Sequence, residues 1–272
     1  MLGASRTSMA ALQESLTARF DSATMAEFDE AGKGLLSIVD VLDSERALRS
    51  TLSDSSISRE AKARLVEQLF SGKVSPLAIE VFMQIVTSRW SSEADMIDAT
   101  EEAGATLILM GAEKAGHIDQ VEEELFRFGR AIHANASLQM ALTDPASPPA
   151  GKSGLARSLL EGKASPETVL LVAHVAGSLR GRPIQDALER LSELAAARRG
   201  REIAEVISAI ELTPEQEQRL KEALTKLHGR QVELNIAIDP TVIGGIEVRI
   251  GDEVIDGTAA TKLEQARRRL AG

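Results

Sequence analysis

The sequence predicts an α+β protein that is mostly α: two tandem helical bundles, then a small C-terminal α/β module with a β-hairpin. Three observations carry that expectation. One segment recurs 90 positions later without a gap. Within each copy the apolar residues follow the period of a helix. After Arg201 the pattern switches to the period of two that marks a half-buried strand.

The repeat sets Arg46–Pro76 against Ala136–Pro166. Leu48, Leu52 and Asp54 align with Leu138, Leu142 and Asp144; Leu65, Leu69, Gly72, Lys73, Ser75 and Pro76 align with Leu155, Leu159, Gly162, Lys163, Ser165 and Pro166. Upstream, Leu35, Leu36 and Leu42 match Leu125, Phe126 and Ile132. A unit this long reads as a duplicated small domain rather than a solenoid repeat. It divides the chain into a first bundle at 1–111, a second at 112–201 and a C-terminal module at 202–272.

Leu35, Leu36, Val39 and Leu42 share one helix face, as do Ala61, Leu65 and Leu69. Gly72 and Gly162 stand where a helix C-terminus wants glycine. Ser75-Pro76 and Ser165-Pro166 restart the chain, serine as N-cap and proline at the first helical position. The helix Leu77–Arg89 is apolar nearly all round, which places it centrally in a bundle; its counterpart is Val169–Leu179. Asp95–Ala115 closes the first bundle and opens the second. Asp144–Gly154 (DPASPPAGKSG) is expected as a loop.

In the C-terminal module, Glu202–Leu212 reads as a strand rich in β-branched residues. Thr213 to Gln216 form a capping box with Pro214 at the first helical position. The helix that follows puts Leu220, Leu224 and Leu227 on one face and ends at Gly229. Val232, Leu234, Ile236 and Ile238 alternate with polar or small residues as a half-buried strand. Ile246, Val248 and Ile250 form the next strand, Gly251-Asp252 a two-residue hairpin turn, and Val254 and Ile255 pair back. Gly244-Gly245 permits a bulge or sharp bend. A closing helix runs over 259–270, its Arg267 to Arg269 suiting the negative C-terminal end.

The chemistry-bearing residues are sparse. The 272 residues carry a net charge of −10 with a pI near 5.1, a balance that repels nucleic acid phosphates and anionic lipid. There is no cysteine, which removes disulfides and thiolate metal sites. The N-terminus has no continuous apolar core of a signal peptide, and no apolar run approaches a membrane span. Gly151-Lys152-Ser153 imitates part of a P-loop, but the leading glycine position holds Ala146 and a helix precedes it, so a surface loop is expected. His117, His133, His174 and His228 have no partner at metal-ligand spacing, and His174 is expected as a hydrogen-bonded bundle residue. The pairs Glu101–Glu102 and Glu122–Glu124 read as solvated helix faces. No catalytic residue, cofactor site or metal site is expected.

The stretch Val232-x-Leu234, Ile238-Asp239, Val242-x-Gly244-Gly245-Ile246-x-Val248-Arg249-x-Gly251 resembles the signature of the delta subunit of bacterial F-type ATP synthase. Asp252-x-Val254-Ile255-Asp256-Gly257 and Lys262-Leu263-Glu264 continue the resemblance, which covers residues 112–272 as a complete family member. The first bundle is the departure, so the chain looks like a long variant with a duplicated bundle. The resemblance implies a non-catalytic stator subunit. It would link the catalytic head, through an alpha-subunit N-terminal helix, to the b-type peripheral stalk, so that rotation is coupled to ATP synthesis. It implies a peripheral position on the cytoplasmic side of the plasma membrane, without direct membrane insertion. The first and fifth helices of the second bundle would form the alpha-binding groove, with Leu107, Ile108, Leu171, Val172 and Val175 as candidates. The alternative is a helical adaptor or chaperone of another cytoplasmic complex, with the same fold and different partners.

Overall fold

The computed structural model describes residues 3–20, 22–199, 201–228, 231–239, 245–250 and 253–256. The chain parts into two compact units, Met1–Arg198 and Arg199–Gly272.

The first unit begins with α1 (Ala4–Ala18), α2 (Met25–Ser44), α3 (Arg46–Ser53), α4 (Arg59–Phe70), α5 (Pro76–Thr87) and α6 (Glu93–Lys114). It continues with α7 (Ile118–Ala134), α8 (Ala136–Thr143), α9 (Pro149–Leu160), α10 (Pro166–Gly177) and α11 (Ile184–Arg199). Both ends of α3, α4 and α5 recur 90 positions later as the ends of α8, α9 and α10. The duplication is therefore one of structure as well as sequence.

The copies are fused rather than strung together. Helix α6 gives Met96, Ala99, Ala103, Leu107 and Met110 to the first core, with Phe28, Leu35, Phe82 and Ile85. It gives Ala105, Ile108, Leu109 and Ala112 to the second core, with Leu125, Ile132, Leu171 and Val172. It is the last helix of one bundle and the first of the next. From Ala103 to Ala112 every residue of α6 is buried, and a stretch buried on every side needs neighbours on every side, which two bundles supply. The division expected at 111/112 thus falls inside one unbroken helix.

Local sequence sets the helix ends as expected. Ser75 and Ser165 accept from the backbone N–H of Ala78 and Thr168, with Pro76 and Pro166 opening the helices. Gly72 and Gly162 take φ of +73° and +71°, where a side chain would be strained. Thr24 and Glu27 close a reciprocal capping box on α2.

Two expectations are corrected here. The segment 151–154 is helix, not loop: Pro148 caps α9 and Pro149 opens it. Small residues let α9 and α10 pack closely. The Ser153 hydroxyl donates to the Ala173 carbonyl at 2.7 Å, and a Cβ at Gly177 would lie 2.3 Å from Ser153 Oγ. Glu124 is not a solvated carboxylate either. From α7 it accepts the Ser165 N–H (2.9 Å), the Ser165 hydroxyl (2.7 Å) and the Thr168 hydroxyl (2.7 Å). Those bonds outweigh the opposing effect of burial and hold its carboxyl below the ordinary range. Ser165→Ala removes a cap and one of these bonds, so it is expected to cost about 1–2 kcal/mol, measurable by urea unfolding.

The second unit holds β1 (Arg201–Ser208), α12 (Pro214–His228), β2 (Gln231–Ile238), β3 (Ile246–Ile250) and β4 (Glu253–Asp256). The sheet order is β2-β1-β3-β4, with β1 parallel to β2 and the other pairs antiparallel. Thr213 and Gln216 form the capping box in both directions, at 2.8 and 3.3 Å. Ile250 pairs with Glu253, which leaves two residues for the hairpin connection. Ala204, Val206, Leu224, Val232, Val248 and Ile250 make the core, with Leu220 packed against it. Leu227, expected on the same face, is 65% exposed. Gly229 and the closing helix expected at 259–270 lie outside the described residues.

Candidate partner-binding site

The five groove candidates are core residues. Leu107 is fully buried in the first core; Ile108, Leu171, Val172 and Val175 lie together in the second, none more than 4% exposed. The α6–α10 face is covered from within the chain. Helix α2 crosses α6 so closely that a Cβ at Gly32 would meet Ile108 Cγ1 at 2.5 Å. From the next turn of α2, Leu36 enters the second core. What remains is a cavity of about 190 Å³ bordered by Leu36, Ala105, Leu171, Val175 and Leu191.

Beside this cavity sits an ion cluster that the sequence reading placed on a solvated face. Glu101, on the shared helix, is 8% exposed. Arg180 meets it with Nη2 at 2.5 Å from Oε2 and Nη1 at 3.3 Å from Oε1; Arg182 adds contacts at 2.7 and 3.0 Å. Two guanidinium groups thus fork onto one carboxylate. His174 Nε2 lies 3.3 Å from Oε1, but the ring N–H is not aimed to form a bond. Burial alone would raise the carboxyl's pKa. The Arg182 and Arg180 guanidinium groups reverse this and hold it far below the ordinary range.

The arginines come from the turn between α10 and α11, where Arg180 adopts φ +50° and Gly181 φ +79°. The strained backbone at Arg180 is offset by its contacts, which extend to Asp98 (2.9 Å) and Asp43 (3.6 Å). Ser178 donates to Asp43 at 2.6 Å. A turn of the second copy is thereby pinned to α2 of the first and to the helix they share. Glu102, also expected in solvent, takes Arg190 at 2.8 Å and Gln13 at 3.0 Å, joining α1 to α11. The available signal was position: the Glu101–Glu102 pair immediately precedes the small and apolar run from Ala103 to Ala112, and Arg180-Gly181-Arg182 follows a buried helix.

In the second unit the signature residues build a scaffold. Val232 and Val248 are buried, and Leu234, Ile246 and Ile255 pack against the core. Gly245 takes φ +90°, which requires glycine. Among the described signature residues, Ile238 and Val254 are exposed large apolar side chains, at 50% and 55%. Asp256 ends β4. Val242, Gly244, Gly251, Asp252, Gly257 and Leu263 lie outside the described residues.

Residues 105–270 match the family model for the ATP synthase delta (OSCP) subunit. The ATP synthase subunit delta of Streptomyces griseus is 43% identical over 272 residues, all of both chains. That of Streptomyces coelicolor is 44% identical over 271 residues, covering 100% of this chain and 98% of the relative. That of Kineococcus radiotolerans is 41% identical over 270 residues, 99% and 98% of the two chains. The chain belongs to the ATP synthase delta (OSCP) subunit family.

Within this delta-family chain the family match begins inside α6, so it takes in the second bundle and the C-terminal module. The Streptomyces and Kineococcus delta relatives are similar across the first copy too. The first copy is therefore shared in sequence with these relatives and is not peculiar to this chain. Among the described residues no helix is long and apolar enough to cross a membrane, and no group of three His, Asp or Glu could hold a metal ion.

Proposed function

We propose that this delta-family subunit is a non-catalytic stator element. It ties the alpha-subunit N-terminus of the catalytic head to the b-type peripheral stalk, as a peripheral component on the cytoplasmic face of the membrane. The observation that carries the reading is similarity to ATP synthase delta subunits over the full length. The construction supports it. A torque-bearing link needs stiffness, and here two bundles share one helix and are cross-braced by a buried ion cluster.

In this reading the second bundle takes an alpha helix, and the C-terminal module takes the stalk through the side of its sheet carrying Val254 and through the exposed end of β2 at Ile238. Ile108, Leu171, Val172 and Val175 form the supporting core beneath the alpha contact rather than its surface, because their side chains are buried, and Leu107 is buried in the first core instead. A chain truncated after Arg199 tests the assignment. It keeps the cores of both bundles, so it is expected to retain alpha binding in a pull-down, lose b, and leave ATP hydrolysis uncoupled from proton pumping. Undiminished b binding by the truncated chain would refute it.

A further inference from the structure

A cleft of about 1650 Å³ opens between α2 of the first copy and α9 of the second. Lys33 on the α2 wall is paired with Asp29, and the charges left over on the two walls are of opposite sign. On α2, Asp40 is 66% exposed on its side chain, and the His174 imidazole lies 3.8 Å from its carboxylate. On α9, Lys152 and Arg157 face the cleft, and among the described residues neither side chain has a hydrogen bond or ion pair. Between the walls lie the apolar Leu170 and Leu179.

The repeat shows that this arrangement is particular to the second copy. Lys152 corresponds to Lys62, which is 5% exposed and donates to the Val86 carbonyl at 3.0 Å near the end of α5. That lysine is a structural plug. In the second copy, Ser153 stands where the first has Ala63, and Gly177 where it has Thr87. The Ser153 hydroxyl takes the Ala173 carbonyl, and α9 closes onto α10 at Gly177. The lysine lines the cleft instead, alongside Arg157.

We propose that the cleft between α2 and α9 is a docking site for an amphipathic helix of a partner protein. That helix would carry acidic side chains toward Lys152 and Arg157, a basic side chain toward Asp40 and an apolar stripe onto Leu170 and Leu179. The size fits: a three-turn helix about 10 Å across and 16 Å long displaces roughly 1300 Å³. The charge pattern sets its direction and register, and the apolar floor supplies burial. The cleft adjoins the smaller cavity on the α6–α10 face and shares Leu36, Asp98, His174 and Arg182 with it, but Asp40, Lys152 and Arg157 border the cleft alone, and the charge argument does not use the alpha assignment.

The test uses the full chain and a fluorescein-labelled three-turn peptide with a leucine stripe, glutamates on one flank and lysines on the other. Anisotropy titration is expected to give saturable binding. Lys152→Glu with Arg157→Glu should weaken it about tenfold, the size of two exposed ion pairs, with unchanged melting. A peptide with the two flanks exchanged should prefer the double variant. Equal affinity of both peptides for both proteins, or no binding, overturns the proposal. So does closure of the cleft on itself: paired Asp40→Cys and Arg157→Cys would then oxidise to a disulfide in the free protein, whereas an open cleft leaves them reduced.

Discussion

Glu101→Gln is expected to lower the stability of the Met1–Arg198 unit by about 3–5 kcal/mol, the usual loss when one partner of a buried ion cluster is removed. The substitution keeps the shape and removes the charge. Arg180 and Arg182 then face a neutral amide in a site where Glu101 is 8% exposed, and Arg180 keeps its strained φ of +50° with its main anchor gone. Glu123→Gln is the matched control. Its carboxylate pairs with Arg127 one turn away, with side chains 61% and 70% exposed, so no measurable change is expected. Urea unfolding of both variants checks the contrast; equal effects would mean that the cluster is worth no more than a surface pair.

The same residue sets a pH signature. The folded-state pKa of Glu101 lies well below its unfolded value. Its contribution is therefore complete above about pH 4.3, where the unfolded carboxyl is ionised, and is lost as pH falls toward the folded pKa. The gap between wild type and Glu101→Gln should be constant near neutrality and narrow in acid. A gap that persisted undiminished through the acid transition would show that the deficit comes from packing rather than charge.

Repetition made much of this fold legible. Ser-Pro at 75–76 and 165–166 and glycine at 72 and 162 are local devices, and local devices act the same way in each copy. Leu36 and Phe126 mark the limit. They occupy one repeat position, yet Leu36 is 4% exposed and Phe126 56%. The difference is that Leu36 meets the second core, and no property of either residue announces neighbours such as Ala105 and Leu171, far away along the chain. Helix α6 posed the same difficulty. The segment was read as closing one bundle and opening the next, but nothing in its pattern shows that a single unbroken helix does both, so a boundary was expected within it. The groove candidates Leu107 and Ile108 follow from that: adjacent in sequence, they point into different cores. Glu101 was misread because a carboxylate is ordinarily solvated, and its guanidinium partners are 79 and 81 residues downstream. In the C-terminal module the alternation after Val232 was enough, because a sheet with one helix against it needs only one apolar face.

Gly32→Ala is expected to destabilise the same unit, against the trend for glycine in a helix. A Cβ there would lie 2.5 Å from Ile108 Cγ1, 2.7 Å from the Gly104 carbonyl oxygen and 3.1 Å from the Ile108 nitrogen. The side chain of Ile108 can rotate away, but the two backbone atoms cannot, so α2 and α6 must separate. Overpacking of this kind costs about 1–3 kcal/mol and outweighs the helix gain of up to about 1 kcal/mol for alanine over glycine. Gly129→Ala isolates the opposing effect. Gly129 lies within α7, and a Cβ there has nothing within 4 Å, so that variant should gain about 0.5–1 kcal/mol. Calorimetry on the pair should give shifts of opposite sign. The sign at Gly32 also bears on mechanics, because this crossing is where the first copy grips the helix shared with the second. If Gly32→Ala stabilises as Gly129→Ala does, the crossing yields under a single methyl, and a joint that soft could not hold two bundles rigid against torque.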